Sequence, residues 1–395
     1  MRFAVFHLIM AAWVLWRFVL PLRAGRRAKA ALAGVVVFAS LFSSATALFF
    51  GGLISPELPR WMLVAGNFGE AALLFLTLLT AAREAVILVS VLAGRSGERL
   101  HAAVQKDRRA ALTLGVASLG LAAAGVSEGV GVPDVRRHVA RIPDLPEALE
   151  GFEFVQLSDI HCSALLTEPW TEALVERVNA LSPNLILITG DFVDGAVERR
   201  ERDVAPLAKL RARHGVWGCE GNHEHYGDYD AWIRKIESLG VRMLRNAHTV
   251  LDIRTPKGEA KLCLAGVRDP MAARFGRETP DVAKAFAGAP APDEALRILM
   301  AHQPKFFPNY LAREPFALQL SGHTHGGQII GMDRLVALMN GLFVRGFYRA
   351  EGGALMYVHP GSGLWNGFPI RLGAPSEIAV IRLERLKSAE GPKRL

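Results

Sequence analysis

Five short segments of this 395-residue chain gather carboxylates, imidazoles and one amide beside glycines. They are Ser158-Asp159-Ile160-His161, Gly190-Asp191-Phe192-Val193-Asp194, Gly221-Asn222-His223-Glu224-His225, a lone His302, and Gly322-His323-Thr324-His325-Gly326-Gly327. Each follows a short apolar run. In an extended segment, D-x-H and H-x-H spacing turns both side chains to one side, so two donors can converge on one ion. The neighbouring glycines allow tight turns and close backbone approach. A set of carboxylates, imidazoles and an amide, with no thiolate, suits one or two borderline divalent ions such as Mn, Fe or Zn. Two such ions about 3.5 to 4 Å apart clamp an in-line displacement at phosphorus and hold a bridging water whose lowered pKa supplies hydroxide near neutral pH.

The elements that must position these groups are short apolar runs alternating with helical patterns. The runs are Phe152 to Leu157, Leu185 to Thr189, Val216 to Glu220, Lys261 to Val267, Leu296 to Ala301, Leu318 to Ser321, Met356 to Val358 and Ile378 to Leu383. Amphipathic stretches such as Pro169 to Leu181 and Tyr229 to Leu239 lie between several of them. That pattern predicts an α/β sheet domain, whose active groups gather on loops at the carboxyl ends of strands. Val132 to Leu149, punctuated by Pro133, Pro143 and Pro146, reads as a linker running into the first strand.

The first third of the chain is different. Overall, 51% hydrophobic residues against 21% charged exclude a disordered or fibrous protein and make a purely soluble one doubtful. Residues 4–22, 30–54, 61–92 and 110–126 are apolar enough to read as about four transmembrane helices, the third longer than a bilayer requires. The net charge of +8 does not point to nucleic acid, because the basic residues lack aromatic interleaving and many flank the apolar stretches. Arg23, Arg26, Arg27 and Lys29 lie in one loop, and Arg95, Arg99, Lys106, Arg108 and Arg109 in another. The positive-inside rule puts both in the cytoplasm, so a true fourth crossing exports everything after residue 130. Lys106-Asp107-Arg108-Arg109 before an apolar run also resembles an internal twin-arginine export signal. Cys162, Cys219 and Cys263 are scattered and odd in number, which predicts core residues rather than a disulfide or thiolate site.

Taken in order, the motifs D-x-H, G-D-x-x-D, G-N-H-E, H and G-H-x-H resemble the calcineurin-like metallophosphoesterase superfamily over about residues 150–385. G-H-T-H-G-G-Q behind a membrane-anchored region is similar to the branch of bacterial membrane-bound phosphoesterases that includes UDP-2,3-diacylglucosamine pyrophosphatases. The resemblance implies a four-layer αββα sandwich at 151–385, behind a transmembrane helical region at 1–130 and a linker at 131–150, with a tail at 386–395. It further implies that Asp159, His161 and His325 hold a first divalent ion, that Asp191 bridges, and that Asn222, His302 and His323 hold a second. His223 would be the catalytic histidine and Asp194 would orient its imidazole. The expected activity is hydrolysis of a phosphodiester or pyrophosphate bond in a phosphorylated lipid, envelope or small-molecule substrate. A phosphomonoesterase, a nucleotide phosphodiesterase and an inactive metal-binding scaffold are the alternatives. The expected location is a bacterial inner membrane with the catalytic domain outside the cytoplasm, or, alternatively, on the cytoplasmic side.

His214, His248, His359, Glu224 and His225 lie outside the motif pattern and carry no assigned role, although Glu224 and His225 could border a substrate. The arginines from Arg199 to Arg213 read as a solvated helix face, and Glu70, Arg83 and Glu84 as mutually paired. Ile329 to Tyr348 is unusually apolar for a loop between two strands. It reads either as a packed helix with a turn or as a lip beside the metals, including Leu342 and Phe343, that accepts acyl chains or dips into a bilayer. In the second reading Arg345 and Arg349 contact phosphate or headgroup oxygens.

Overall fold

The computed structural model describes residues 2–50, 56–93 and 108–386. Arg95, Arg99, Lys106 and Asp107 of the second basic loop, residues 51–54 of the second apolar stretch, and the tail from 387 lie outside the described residues. The chain divides into two compact units, one of residues 1–129 with 366–372, the other of residues 130–365 with 373–395.

The first unit is helical: α1 (Arg2–Val14), α2 (Arg26–Phe49), α3 (Arg60–Leu92) and α4 (Arg108–Val130). Among the described residues three helices, Arg26–Phe49, Arg60–Leu92 and Arg109–Val130, are long and apolar enough to cross a membrane. The first apolar stretch is shorter than the expected span. After α1 it winds as a π-turn over Leu15–Val19 and stops before Pro21, which cannot donate to a continuing helix. Polarity in this unit is inverted relative to a soluble bundle: Phe38, Leu48 and Trp61 face outward, while Asn67, Glu70 and Thr80 are buried. Trp13 Nε1 donates to Thr80 Oγ1 (2.9 Å), and the Ser43 N–H donates to Glu70 (2.8 Å). Arg83 pairs with Glu84 (2.6 Å), which Arg17 also approaches (3.5 Å).

Among its described residues the second unit contains twelve strands: β1 (Asp134–Ile142), β2 (Glu153–Leu157), β3 (Ile186–Thr189), β4 (Val216–Cys219), β5 (Val241–Met243), β6 (Ala247–Thr255), β7 (Gly258–Gly266), β8 (Ala295–Met300), β9 (Leu318–Ser321), β10 (Gly346–Arg349), β11 (Leu355–Val358) and β12 (Glu377–Arg385). They form two six-stranded sheets, ordered β1-β12-β2-β3-β4-β5 and β10-β11-β9-β8-β7-β6. In the first, β2 to β5 run parallel and β12 pairs antiparallel with β2. In the second, β7, β8, β9 and β11 run parallel. The stretch 131–150 is not a bare linker, since β1 pairs along its whole length with β12 and buries Ala140 and Ile142.

Alternation along the strands sets the layers. Leu262 and Leu264 of β7 and Ile298 and Met300 of β8 meet Leu187 and Ile381 of the first sheet in one core. Cys263, Ala265 and Leu299 point the other way and pack with Val282, Phe286, Phe307 and Tyr310, in and around the helices Val282–Ala285 and Phe307–Leu311. Helices Glu168–Asn179 and Tyr229–Ser238 bury Leu174, Val178, Trp232 and Ile236. The result is the expected sandwich of two sheets with helices outside. All three cysteines are free and buried. Of the arginine run, Arg202 is exposed as expected, but Arg200 is buried and pairs with Asp203 (3.3 Å).

Ile298, fully buried between the sheets, tests this layering. Ile298→Ala should cost about 2–5 kcal/mol of stability, whereas Arg254→Ala on the exposed β6 should stay within about 0.5 kcal/mol. Thermal unfolding of the purified variants is the measurement, and equal behaviour of the two would contradict the assignment of Ile298 to the core.

Candidate metal centre

Every motif residue lies just beyond the carboxyl end of an interior strand. Asp159 and His161 follow β2, Asp191 and Asp194 follow β3, and Asn222 and His223 follow β4. From the other sheet, His302 follows β8, and His323 and His325 follow β9. The two sheets are stitched together at this end. Gln156 Nε2 donates to the Ser321 carbonyl (3.1 Å), and His302 Nδ1 donates to the Thr189 carbonyl (2.7 Å). Glycine is required where the loops meet: a Cβ on Gly322 would lie 1.9 Å from Ser158 Oγ and 2.3 Å from Asp159 Oδ2.

The ligand loops are not extended, contrary to the expectation from spacing. Asp159 (φ 53°), His161 (φ 48°), Asp191 (φ 54°), His323 (φ 72°) and His325 (φ 49°) are all left-handed. The D-x-H and H-x-H pairs converge because two left-handed residues flank one ordinary residue. Asp and His tolerate this region better than most side chains.

Among the described residues three groups of side chains could hold an ion: Asp159 with His161 and His325, Asp191 with His302 and His323, and, sharing His161 with the first, His161 with Asp194 and His223. The first two are the donor groups that the motifs predict. In the first, His161 Nε2 and His325 Nε2 face one another at 3.2 Å, and His325 Nε2 lies 3.4 Å from Asp159 Oδ1. In the second, Asn222 Oδ1 is 2.8 Å from His323 Nδ1 and 3.1 Å from His302 Nε2. Asp191 Oδ2 stands between the groups, 3.2 Å from His302 Nε2 and 3.7 Å from His161 Nε2. His302 Nδ1 is engaged by a carbonyl and His161 Nδ1 faces Asp194 Oδ1 (3.2 Å), which leaves each Nε2 lone pair directed at the site.

The charges ask for a cation. Burial opposes protonation of His302, yet Asp191 raises its pKa well above the usual imidazole value. Burial and the charge of His302 together push His323 down to about 3. Burial also raises the carboxyl of Asp159, while neighbouring imidazoles overcome burial and hold Asp191 well below the ordinary range. With two buried carboxylates and several lone pairs converging, this donor set fits one or two borderline divalent ions.

His223 sits beside the donor groups. Its Nδ1 donates to Asp194 Oδ1 (2.5 Å), and its Nε2 lies 3.9 Å from Asp191 Oδ2. Burial alone would lower its pKa, but Asp191 and Asp194 raise it to about 9. One carboxylate oxygen thus serves two rings, since Asp194 Oδ1 also contacts His161. Tyr226 stacks edge-on to His223 with ring centres 5.0 Å apart.

Glu224 has a part that the sequence did not reveal. Its buried carboxylate accepts the N–H groups of Asp191 (3.1 Å), Phe192 (2.7 Å) and Gly221 (2.7 Å), binding the loops after β3 and β4 into one piece. His225 is buried against Glu220 (3.1 Å) and stacks on Tyr229. His248 and His359 make backbone contacts, to the Ala285 carbonyl and the Gly361 N–H respectively, and belong to neither donor group. The apolar segment after Gln328 also differs from expectation. Arg345 donates to the Gly326 carbonyl (3.1 Å) and Arg349 to the carbonyls of Gly353 (2.8 Å) and Arg141 (2.6 Å), so both guanidinium groups brace backbone. Phe343 packs on Phe307 and Tyr348, whereas Leu342 projects outward.

Residues 152–327 match the calcineurin-like phosphoesterase family. A transmembrane protein with metallophosphoesterase domain from Danio rerio is 36% identical over 248 residues, covering 62% of this chain and 56% of that protein. A metallophosphoesterase of Helicobacter pylori is 31% identical over 342 residues, covering 82% of this chain and 88% of its own length. A transmembrane protein with metallophosphoesterase domain from Bos taurus is 33% identical over 318 residues, covering 79% and 70%. Ordered motifs, paired donor groups and relatives matched over most of their length lead to one assignment: the chain belongs to the calcineurin-like metallophosphoesterase family.

Proposed function

We propose that this chain is a membrane-anchored, binuclear-metal phosphohydrolase that cleaves a phosphodiester or pyrophosphate bond in a lipid or envelope substrate. The observation that carries the reading is Asp191 Oδ2, within 3.7 Å of an imidazole nitrogen from each donor group. Asp159, His161 and His325 would hold one ion, Asn222, His302 and His323 the other, and Asp191 both. Bound there, two divalent ions would supply a hydroxide nucleophile near neutral pH and positive charge against the phosphoryl oxygens.

The chain's own groups do the rest. Asp194 fixes the His223 ring through Nδ1, so Nε2 faces the space beside Asp191. From there an Nε2–H can hydrogen-bond a phosphoryl oxygen and pass its proton to the leaving oxygen. Cations in the two donor groups would draw the pKa of His223 down from about 9 toward neutrality, where an acid works best. Glu224 keeps the loops of Asp191 and Asn222 at fixed separation, which helps to hold the candidate donors in place.

Parity supports one side of the membrane. With Arg23 to Lys29 in the cytoplasm, the helices Arg26–Phe49, Arg60–Leu92 and Arg109–Val130 make three crossings. The outcome is the same whether or not α1 also crosses. This supports a catalytic unit outside the cytoplasm, which favours an envelope substrate over a cytosolic one.

Metal analysis of the purified chain should find up to two transition ions per molecule, and Asp191→Asn should lower that content. His223→Ala should keep the metal while kcat on a phosphodiester falls by about 10²–10⁴-fold. A fully active His223→Ala variant would remove the role given to that residue. A topology reporter fused after Leu395 should be active outside the cytoplasm, and a cytoplasmic signal would reverse the orientation.

A further inference from the structure

Between the His323-His325 motif and β10 the chain makes an excursion that the metal centre does not use. Its base is pinned to the motif: Thr324 Oγ1 donates to the Val344 carbonyl (2.5 Å), Arg345 to the Gly326 carbonyl (3.1 Å), and Ile329 is buried. Above the base, helix Met332–Met339 buries none of its residues. Ile330 is 70% exposed, Leu335 55%, Leu338 69%, Met339 72% and Leu342 67%. Leu342 is held at φ 71°, a costly conformation for a branched apolar residue that nevertheless points into solvent. A contiguous apolar surface of this kind marks an interaction site.

We propose that this excursion is a bilayer-docking lip, with Ile330, Leu335, Leu338, Met339 and Leu342 entering the acyl region of a leaflet. Three observations select a bilayer as the occupant. The same chain carries helices long and apolar enough to cross a membrane, so a lipid surface is always within tether range. The exposed charge at the lip is basic: Arg334 and Lys305 are exposed, and Lys305 lies against Gly341, whereas Asp333 accepts the Gly331 and Arg334 N–H groups and faces Arg345. That balance complements an anionic leaflet. A second copy of the chain is a poorer fit, since a standard interface buries about 800 Å² per partner, more than five side chains on and beside an eight-residue helix present.

Docking deepens the reading of a lipid-borne substrate, and only its mechanistic consequence rests on that reading. The lip is continuous with His323 and His325, so a docked lip sets the candidate donors close to headgroup phosphates.

The test uses the full chain in nanodiscs of phosphatidylcholine and phosphatidylglycerol. The native cysteines are buried, so a polarity-sensitive fluorophore attaches selectively at Leu338→Cys, or at Asp293→Cys on an exposed turn as the control. Emission at Leu338→Cys should shift to the blue and be quenched several-fold more by lipids with brominated acyl chains than emission at Asp293→Cys. Quenching that is equal at the two positions, or absent at Leu338→Cys, would overturn the proposal. So would efficient disulfide cross-linking of Leu338→Cys between copies without quenching, which assigns the surface to a second chain. Metal content and hydrolysis of a soluble diester by the control report on the metal centre separately, so failure of docking and failure of the hydrolase reading are distinguishable.

Discussion

The second unit is organised around one requirement: donors carried by two different sheets must meet at a single carboxylate oxygen. Asp191 comes from the first sheet and His302 from the second, yet they approach to 3.2 Å. The depth of the inter-sheet core, set by residues such as Leu187, Leu264, Ile298 and Ile381, therefore fixes the geometry of the site. Packed sheets lie about 10 Å apart, too far for backbone to touch backbone across most of the interface. At the carboxyl ends the loops close that gap. Gly322, lacking a Cβ, lets the loop after β9 come within contact of Ser158 and Asp159, and Gln156 reaches the Ser321 carbonyl from the opposite sheet.

How much of this is legible in the sequence has a physical answer. The eight apolar runs correspond to β2, β3, β4, β7, β8, β9, β11 and β12, which are the interior strands of both sheets. The strands without such a run, β1, β5, β6 and β10, are the four edges. An interior strand covered on both faces is written in continuous apolar residues, while an edge strand is shorter or more polar and carries little signal. β6 illustrates this, with Ile253 as its buried residue among exposed and half-exposed neighbours. In the first unit the apolar stretches are plain, but the π-turn that shortens the first of them depends on backbone geometry.

The candidate site is legible for a different reason. Its residues sit within five positions of a strand end, so local motifs announce them. What the motifs do not carry is anything that closes across the fold. Glu224 follows Asn222 by two positions and has no role in the motif pattern, yet it binds three N–H groups from two loops. Asp194, expected to orient one ring, contacts two. In one of the two sequence readings Arg345 and Arg349 contact headgroup oxygens, but in the fold they donate to carbonyls as distant as Arg141, and Arg345 also faces Asp333.

The left-handed backbone recurs at five candidate donor positions. Each such residue costs of order 1–3 kcal/mol unless its surroundings enforce it. Here they do: the Asp159 N–H donates to the Gly190 carbonyl (3.0 Å), the His161 N–H to the Asp191 carbonyl (3.1 Å), and the His323 N–H to the Asp159 carboxylate (3.0 Å). The Gly363 N–H in turn donates to the Asp159 carbonyl (2.9 Å). The conformation is thus offset by a lattice of loop hydrogen bonds. Electrostatics accompanies this rigidity, because the Asp191 carboxylate raises the pKa of the buried His302 while burial and the neighbouring His302 lower that of His323. A set of side chains held this way has little left to reorganise when charge develops beside it, because its dipoles and charges are already fixed in place.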